Sequence, residues 1–272
     1  MNKQTMIIYI IISVVSLVFI LFEYFGLTRC LKLKVSSCES YAKTYVKLPR
    51  VGTKNKVIVS LYTKHNDLNK IKDTVNSILD QTVRPDQIII SIPDSTSIKI
   101  PEFITKNHII LVHKLSKDYG KSSSFISPLL REKNGNTDII IIDDNQIYGP
   151  DFIESLVEAS EKYPNDIIYI GGYNARKYIE NGGKIDEDAD IIELPKGVLI
   201  KPIFFDENIL NIDDGPSNQK DVPNVILSYH AQKNKVHLRR INYSENIYTI
   251  KDNNNFENNI IKYYAAYFPS FN

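Results

Sequence analysis

The body of the chain alternates short apolar runs with amphipathic segments, and this alternation limits the fold more than any other feature. The run Asp138–Ile142 (DIIII) is apolar on both faces, which is typical of a strand buried inside a parallel sheet. Similar β-branched runs occupy residues 56–62, 87–92, 108–113 and 167–170, with helical spacing between them. We therefore predict an α/β fold with a mostly parallel central sheet flanked by helices.

The N-terminus carries a second strong signal. Residues 6–22 (MIIYIIISVVSLVFILF) contain no charged residue, and a helix needs about 17–25 such residues to cross a bilayer. The alternative is a secretory signal peptide, which would need a small-residue cleavage site, and the following EYFGLTRCLKLK offers a poor one. We predict an N-terminal transmembrane helix over residues 1–25, acting as a single-pass membrane anchor. Residues 26–55 are polar without a lasting period and are interpreted as a stem.

The orientation of this anchor stays open. Arg29, Lys32 and Lys34 follow the apolar run, whereas Lys3 precedes it, and an excess of basic residues favours the cytoplasmic side. The triplet Asn242-Tyr243-Ser244 is a glycosylation sequon that would be usable only in a lumen.

Composition and charge narrow the class of protein. The contents of apolar (43%) and charged (24%) residues are those of a globular chain. The net charge is +1, and Lys and Arg are spread along the sequence, which argues against a nucleic-acid partner. Cys30 and Cys38 are too few for a disulfide framework and lack zinc-site spacing.

Two carboxylates and an amide follow the most apolar strand. Asp143, Asp144 and Asn145 stand at its carboxyl end, where parallel sheets bind their ligands. Adjacent carboxylates repel each other unless a cation lies between them, and such hard oxygen ligands suit Mg²⁺ or Mn²⁺. The alternative is an ordinary solvated turn, in which Asp and Asn are common. We predict a divalent metal that bridges to a diphosphate and stabilises a phosphate leaving group.

These residues resemble a known family. The stretch IIIIDDNQIYGPDFIESL is similar to the metal-binding segment of nucleotide-sugar-dependent glycosyltransferases of the GT-A fold, in which an apolar strand leads into an acidic triplet, Tyr, Pro and a helix. The resemblance implies a GT-A-like catalytic domain over residues 56–272. Three further elements in the family's order support it over about residues 56–240: VIVSLYTKHNDLNKIKDTVNSILDQTVRPDQIIISIP with its S-I-x-x-Q-T motif, Asp118-Tyr119-Gly120, and DIIELPKGVLIKPIFFD.

The resemblance also implies roles for individual positions. Asp144 would be a metal ligand and Asn145 would contribute an uncharged oxygen to the same ion. Asp143 would support the metal or contact the ribose, and Gly197 would lie beside the acceptor. The implied nucleotide-sugar site comprises six residues: Tyr62, Thr63, Asp94, Asp118, Asp143 and Gly197.

Two departures from the family pattern bear on catalysis. The Asp-Tyr-Gly element is followed by Lys121 and three serines, so the family's lysine at the end of this element is lost. The family's catalytic acidic pair falls on Pro223-Asn224, as judged from Ser228. Because an amide cannot act as a general base, Asp221 is the candidate base; otherwise the alignment slips by three residues, or the site is degenerate.

Three hypotheses follow. The first is a metal-dependent, inverting glycosyltransferase that moves a sugar from a nucleotide-diphosphate donor to a hydroxyl of a glycan, protein or lipid acceptor. The second is a catalytically degenerate, membrane-tethered sugar or nucleotide-sugar binding protein of the same fold. The third, another nucleotide enzyme such as a kinase, lacks support because neither G-x-x-x-x-G-K-[ST] nor G-x-G-x-x-G occurs.

Overall fold

The structure is a computed structural model that describes residues 3–24, 26–50, 52–64, 67–94, 98–117, 119–174, 189–212, 222–243 and 247–249. Two predicted site residues, Asp118 and Asp221, lie outside these ranges, as does a C-terminal amphipathic helix expected over Ile260–Tyr267.

A seven-stranded sheet forms the centre of the fold, in the order β10-β6-β9-β4-β1-β2-β3. Strand β9 is antiparallel to both neighbours, and the other neighbouring pairs are parallel. The prediction of a mostly parallel sheet is therefore confirmed. Numbered in chain order, the strands are β1 (Val57–Tyr62), β2 (Gln87–Pro93), β3 (Ile110–Leu115), β4 (Asp138–Ile141), β5 (Gln146–Ile147), β6 (Asp166–Tyr169), β7 (Gly172–Tyr173), β8 (Ile191–Ile192), β9 (Val198–Ile200), β10 (His237–Arg240) and β11 (Tyr248–Thr249).

The short strands form two further antiparallel pairs, β5 with β11 and β7 with β8. The α-helices among the described residues are α1 (Lys3–Tyr24), α2 (Leu27–Val35), α3 (Cys38–Tyr45), α4 (Lys72–Leu79), α5 (Glu102–Thr105), α6 (Ser123–Arg131), α7 (Phe152–Lys162) and α8 (Pro223–Lys233). A 3-10 turn over Leu68–Ile71 leads into α4, and the side chain of Asp67 caps this turn by accepting the Asn69 N–H at 2.9 Å.

Helices cover both faces of the sheet. Helices α4 and α7 pack on one face with the core residues Val75, Ile78, Phe152 and Leu156. Helices α6 and α8 cover the other face with Phe125, Ile126, Ile226 and Leu227. Strand β4 contributes Ile140 to the first core and Ile139 and Ile141 to the second, so its apolar character on both faces has a direct packing reason.

Part of the expected stem is instead folded. Residues 27–45 form α2 and α3, and Leu33, Tyr41 and Tyr45 are buried in the same core as α4. The Arg29 guanidinium contacts the Asp80 carboxylate at 2.9 Å and ties α2 to the end of α4. Neither helix could be predicted, because each is too short to show a clear apolar period. In α2, apolar residues also occur on the exposed side, so the sequence does not show which side is buried.

Helix α1 differs from the other described helices. Its segment Gln4–Glu23 has a mean hydropathy of 2.8 and none of it is buried. Within the part of the chain that the structure describes, it alone is long and apolar enough to cross a membrane.

Candidate active site at the carboxyl edge of the sheet

The ends of four strands bring most of the predicted site residues to one edge. Strands β1, β2 and β4 end there because they are parallel, and β9 begins there because it runs the opposite way. The Ile142 N–H donates to the Ser60 carbonyl at 3.0 Å, and Ile141 pairs with Val198. The edge therefore carries the acidic loop, defined here as Asp143–Asn145, opposite the residue that precedes β9.

Seven of the predicted residues lie at this edge. The Thr63 N–H donates to the Ser91 carbonyl at 3.0 Å, and the Asp94 N–H donates to the Leu115 carbonyl at 3.2 Å, which places both residues at strand ends. Their roles remain predictions. The set is Tyr62, Thr63, Asp94, Asp143, Asp144, Asn145 and Gly197.

The acidic loop has a defined conformation. The Asp143 carboxylate accepts the Asn145 N–H at 2.9 Å, which closes a tight turn. The Thr74 hydroxyl of α4 donates to the Asp144 carbonyl at 2.9 Å. The three loop residues are half-buried, so their side chains are accessible to a ligand while the backbone is held.

The hydroxyl of the buried Tyr148 holds the backbone of the acidic loop in place. The Tyr148 hydroxyl accepts the Asp143 N–H at 2.8 Å and donates to the Pro195 carbonyl at 2.9 Å. Complete burial raises the pKa of the Tyr148 phenol well above its usual value, and the nearby Asp143 carboxylate raises it further. The phenol therefore stays neutral and keeps the proton that it donates to Pro195.

Two polar side chains hold the segment after the loop: Ser77 in α4 and Gln81 just after the end of that helix. The Ser77 hydroxyl accepts the Tyr148 N–H at 3.2 Å. The Gln81 amide donates to the Gly149 carbonyl at 2.6 Å and accepts the Ile153 N–H at 3.0 Å. The sequence indicates Ser77 and Gln81 only as members of the S-I-x-x-Q motif, and their contacts with the loop segment were not predicted. Their spacing of four residues was the signal that the two side chains could face the same segment.

Gly197 is required by its surroundings. Its φ of +105° lies in a region that side chains rarely adopt, and an added Cβ would lie 2.5 Å from the Phe152 ring. The Phe152 ring packs on the Tyr148 ring with a centroid distance of 4.4 Å. The backbone beside the predicted acceptor position is thus fitted against the same tyrosine that holds the acidic loop.

Two side chains in the first two turns of α8 attach this helix to the backbone that leads to Gly197. The Asn224 side chain is buried, and its carbonyl oxygen accepts the Leu194 N–H at 3.3 Å. The Ser228 hydroxyl accepts the Ile192 N–H at 3.0 Å. These contacts attach α8 to β8 and to the 3-10 turn Leu194–Lys196, which leads directly to Gly197. The N-terminal end of α8 is therefore close to the predicted acceptor side of the edge.

The acidic loop suits a hard divalent cation that also contacts a ligand. Within the described ranges, no three His, Cys, Asp or Glu side chains are grouped as metal ligands. Mg²⁺ sites that also contact phosphates commonly take only one or two protein carboxylates, with water and phosphate oxygens completing the shell. Asp144 and Asn145, with Asp143 beside them, fit a site of this kind, in which the protein supplies only part of the metal's ligands.

A separate cavity lies at the junction of α1 and α2. Its volume is about 380 Å³, and it contains none of the predicted site residues. Its lining is Glu23, Thr28, Arg29, Lys32, Asp80, Gln81, Thr82 and Pro150. Both signs of charge are present there, and the Arg29–Asp80 ion pair accounts for one cation and one anion.

Comparison with known proteins gives the fold. No protein-family model matches the sequence, and no curated protein does. The solved structure of the mannosyltransferase PcManGT from Pyrobaculum calidifontis, in complex with GDP-Man and Mn²⁺, is similar with a TM-score of 0.54 and 13% identity, covering 85% of this chain and 70% of that one. S. aureus TarS 1–349 is similar with a TM-score of 0.49 and 12% identity, covering 80% and 72%. The chain has the GT-A glycosyltransferase fold, as the sequence predicted.

Proposed function

We propose that this chain is a metal-dependent glycosyltransferase that moves a sugar from a nucleotide-diphosphate donor to an acceptor hydroxyl. The observation that carries the proposal is the acidic loop at the carboxyl end of β4, held by Tyr148 at the edge where GT-A-type sheets present their ligands. The PcManGT structure, which contains GDP-Man and Mn²⁺, supports a nucleotide-sugar donor and a divalent metal.

In the proposed mechanism, Asp144 and Asn145 hold Mn²⁺ or Mg²⁺, and Asp143 supports the ion or contacts the ribose. A bound ion would supply positive charge that stabilises the diphosphate as it leaves. Tyr62, Thr63, Asp94 and Asp118 bind the nucleotide, and Gly197 leaves room for the acceptor.

Asp221 is the proposed general base. It takes the proton of the acceptor hydroxyl while the acceptor oxygen bonds to the anomeric carbon and the bond to the diphosphate oxygen breaks. Because attack comes from the face opposite the leaving group, the configuration at that carbon inverts. In the sequence, Asp221 stands two residues before Pro223, where α8 begins. This supports the role, since α8 contacts the turn that leads to Gly197.

The cellular setting is part of the proposal. Helix α1 anchors the chain in a membrane, with the catalytic domain on one side. Its length, its hydropathy and the absence of buried residues in Gln4–Glu23 support the anchor.

One observation favours the alternative of a sugar or nucleotide-sugar binding protein. The residue at the family's catalytic position, Asn224, is buried and engaged with the backbone of Leu194, so it contributes no ionisable group. Under this alternative the donor site binds nucleotide but transfers no sugar.

A transfer assay separates the two functions. The full chain in detergent or nanodiscs is incubated with radiolabelled nucleotide sugars and Mn²⁺, and both transfer to added acceptors and release of free sugar are measured. The proposal expects turnover that Asp144→Asn and Asp221→Asn each abolish, whereas Glu158→Gln, which changes an exposed carboxylate on α7, has no effect. Nucleotide binding without turnover from any donor would favour the binding protein.

A further inference from the structure

Helix α2 carries an apolar stripe on its exposed side. Leu27, Leu31 and Val35 recur at every fourth position, so they share one side of the helix, and they are 39%, 53% and 83% exposed. The opposite side carries Leu33, which is fully buried in the core. The helix thus packs on the domain with one side and presents leucine and valine outward with the other.

The stripe begins where the proposed membrane span ends. Helix α1 ends at Tyr24, and Gly26 takes a left-handed conformation with φ 64°, which interrupts the helix before α2 starts at Leu27. The Cys30 N–H donates to the Gly26 carbonyl at 3.1 Å, so α2 follows this turn directly. A bilayer that surrounds the apolar side chains of α1 therefore has its surface beside the first residue of the stripe.

The charge of this region suits an anionic surface. At 100° per residue, Lys32 and Lys34 flank the stripe on its two sides, and both are exposed. The α2–α3 region, residues 27–50, contains a single acidic residue, Glu39, against six basic ones: Arg29, Lys32, Lys34, Lys43, Lys47 and Arg50. Basic residues beside a span are attracted to anionic lipid headgroups.

We propose that α2 lies in the headgroup region of the bilayer that α1 crosses, with the stripe Leu27, Leu31 and Val35 inserted and Lys32 and Lys34 against anionic headgroups. The inference rests on the proposed membrane span. Amphipathic helices of this kind bury their apolar side at the boundary of headgroups and acyl chains.

This placement has a consequence for the site. Arg29 of α2 contacts the Asp80 carboxylate and donates to the Tyr148 carbonyl at 2.7 Å. Because Tyr148 also holds the acidic loop, an α2 seated on the bilayer would give the candidate active site a fixed orientation towards the membrane.

Tryptophan quenching by brominated lipids tests the placement, because the natural chain has no Trp. The full chain is reconstituted in nanodiscs of phosphatidylcholine and phosphatidylglycerol with a single Trp at one of three exposed positions. Leu31→Trp reports the stripe, Ile12→Trp reports the span, and Ile203→Trp, on the 3-10 turn after β9, is the matched exposed control. The quenching by lipids brominated near the glycerol end of the acyl chain is compared with that by lipids brominated near the bilayer centre. The comparison gives the depth of each Trp in the bilayer.

We expect the fluorescence of Leu31→Trp to be quenched more by bromine near the glycerol end, that of Ile12→Trp more by bromine near the centre, and that of Ile203→Trp by neither. Quenching of Ile12→Trp without quenching of Leu31→Trp would overturn the inference and leave the membrane span intact. Absence of quenching at Ile12→Trp would overturn both. The combined change Lys32→Gln and Lys34→Gln should reduce quenching of Leu31→Trp in anionic nanodiscs, and an unchanged signal would contradict the role of the two lysines.

Discussion

The Tyr148 hydroxyl accepts a hydrogen bond from the Asp143 backbone N–H at 2.8 Å and donates one to the Pro195 carbonyl at 2.9 Å. One buried phenol therefore joins the acidic loop after β4 to the turn that precedes Gly197. In the proposed enzyme these are the donor side and the acceptor side of the site, so their separation depends on this side chain.

Replacing Tyr148 by Phe should weaken both the fold and the site. The change keeps the ring against Phe152 but removes the hydrogen bonds to the Asp143 N–H and to the Pro195 carbonyl, both of which are partly buried. Each such hydrogen bond contributes about 0.5–1.5 kcal/mol to the free energy of unfolding. We also expect weaker metal-dependent nucleotide binding, since the loop loses its support. Chemical denaturation and calorimetry measure the two effects. Tyr163→Phe, at a half-buried tyrosine after α7, is the control, and equal losses in both variants would contradict the positioning role.

Gly197→Ala should be strongly destabilising. The new Cβ would lie 2.5 Å from the Phe152 ring, and the φ of +105° disfavours any side chain. Overpacking and backbone strain each cost roughly 1–3 kcal/mol. Thermal unfolding of the variant should show a clear decrease in midpoint, whereas Gly52→Ala, where nothing lies within 4 Å of the new Cβ, should match the wild type.

Two N-terminal truncations should behave differently. Removal of residues 1–25 takes away α1, whose side chains are exposed, and should leave the unfolding midpoint of the remaining domain nearly unchanged. Removal of residues 1–45 also deletes Leu33, Tyr41 and Tyr45, each buried in the core and each worth about 1.5–3 kcal/mol when fully buried. We expect poor yield or a much lower midpoint for the longer truncation, and equal stability of the two would show that α2 and α3 do not belong to the folded domain.

Stability should fall in mild acid because of His230. Burial, with Lys233 nearby, lowers the pKa of His230 from 6.5 to about 4. The unfolded chain therefore binds a proton at this residue between about pH 6.5 and pH 4 while the folded chain does not, so unfolding free energy declines as the pH falls through that window. Urea denaturation at pH 7.5 and pH 5 should show a smaller decline for His230→Gln than for the wild type. The exposed His108 gives the control His108→Gln, which should keep the full decline.

The sequence carried enough information for the sheet and for the acidic loop. Strand β4 could be predicted because a run of isoleucines with no polar face fits only a strand covered on both sides, and Asp143 and Asp144 then had to lie at its carboxyl end. The antiparallel direction of β9 could not be predicted, because its three residues Val198–Ile200 are equally apolar in either direction.

The hydrogen bonds that hold the site together could not be predicted from the sequence, because they join residues that are far apart in the chain. The sequence shows Tyr148 only as the tyrosine that follows the acidic triplet. Its hydroxyl also contacts the Pro195 carbonyl, which is 47 residues away in the chain. Likewise, the sequence shows Asn224 only as an amide at a position where the family has a carboxylate. The structure shows that its side-chain carbonyl accepts the Leu194 N–H, a contact that depends on residues 30 positions apart in the chain.

Metal-dependent nucleotide binding at the acidic loop can be measured by calorimetry. The full chain in nanodiscs is titrated by calorimetry with UDP, GDP and dTDP, each with and without Mn²⁺, and the same titrations are repeated with Asp144→Ala and with Glu158→Gln. We expect one nucleotide to bind only when Mn²⁺ is present, Asp144→Ala to abolish this binding, and Glu158→Gln to leave it unchanged. Binding of no nucleotide under any condition, or binding that survives Asp144→Ala unchanged, would contradict a metal-held donor site at the acidic loop.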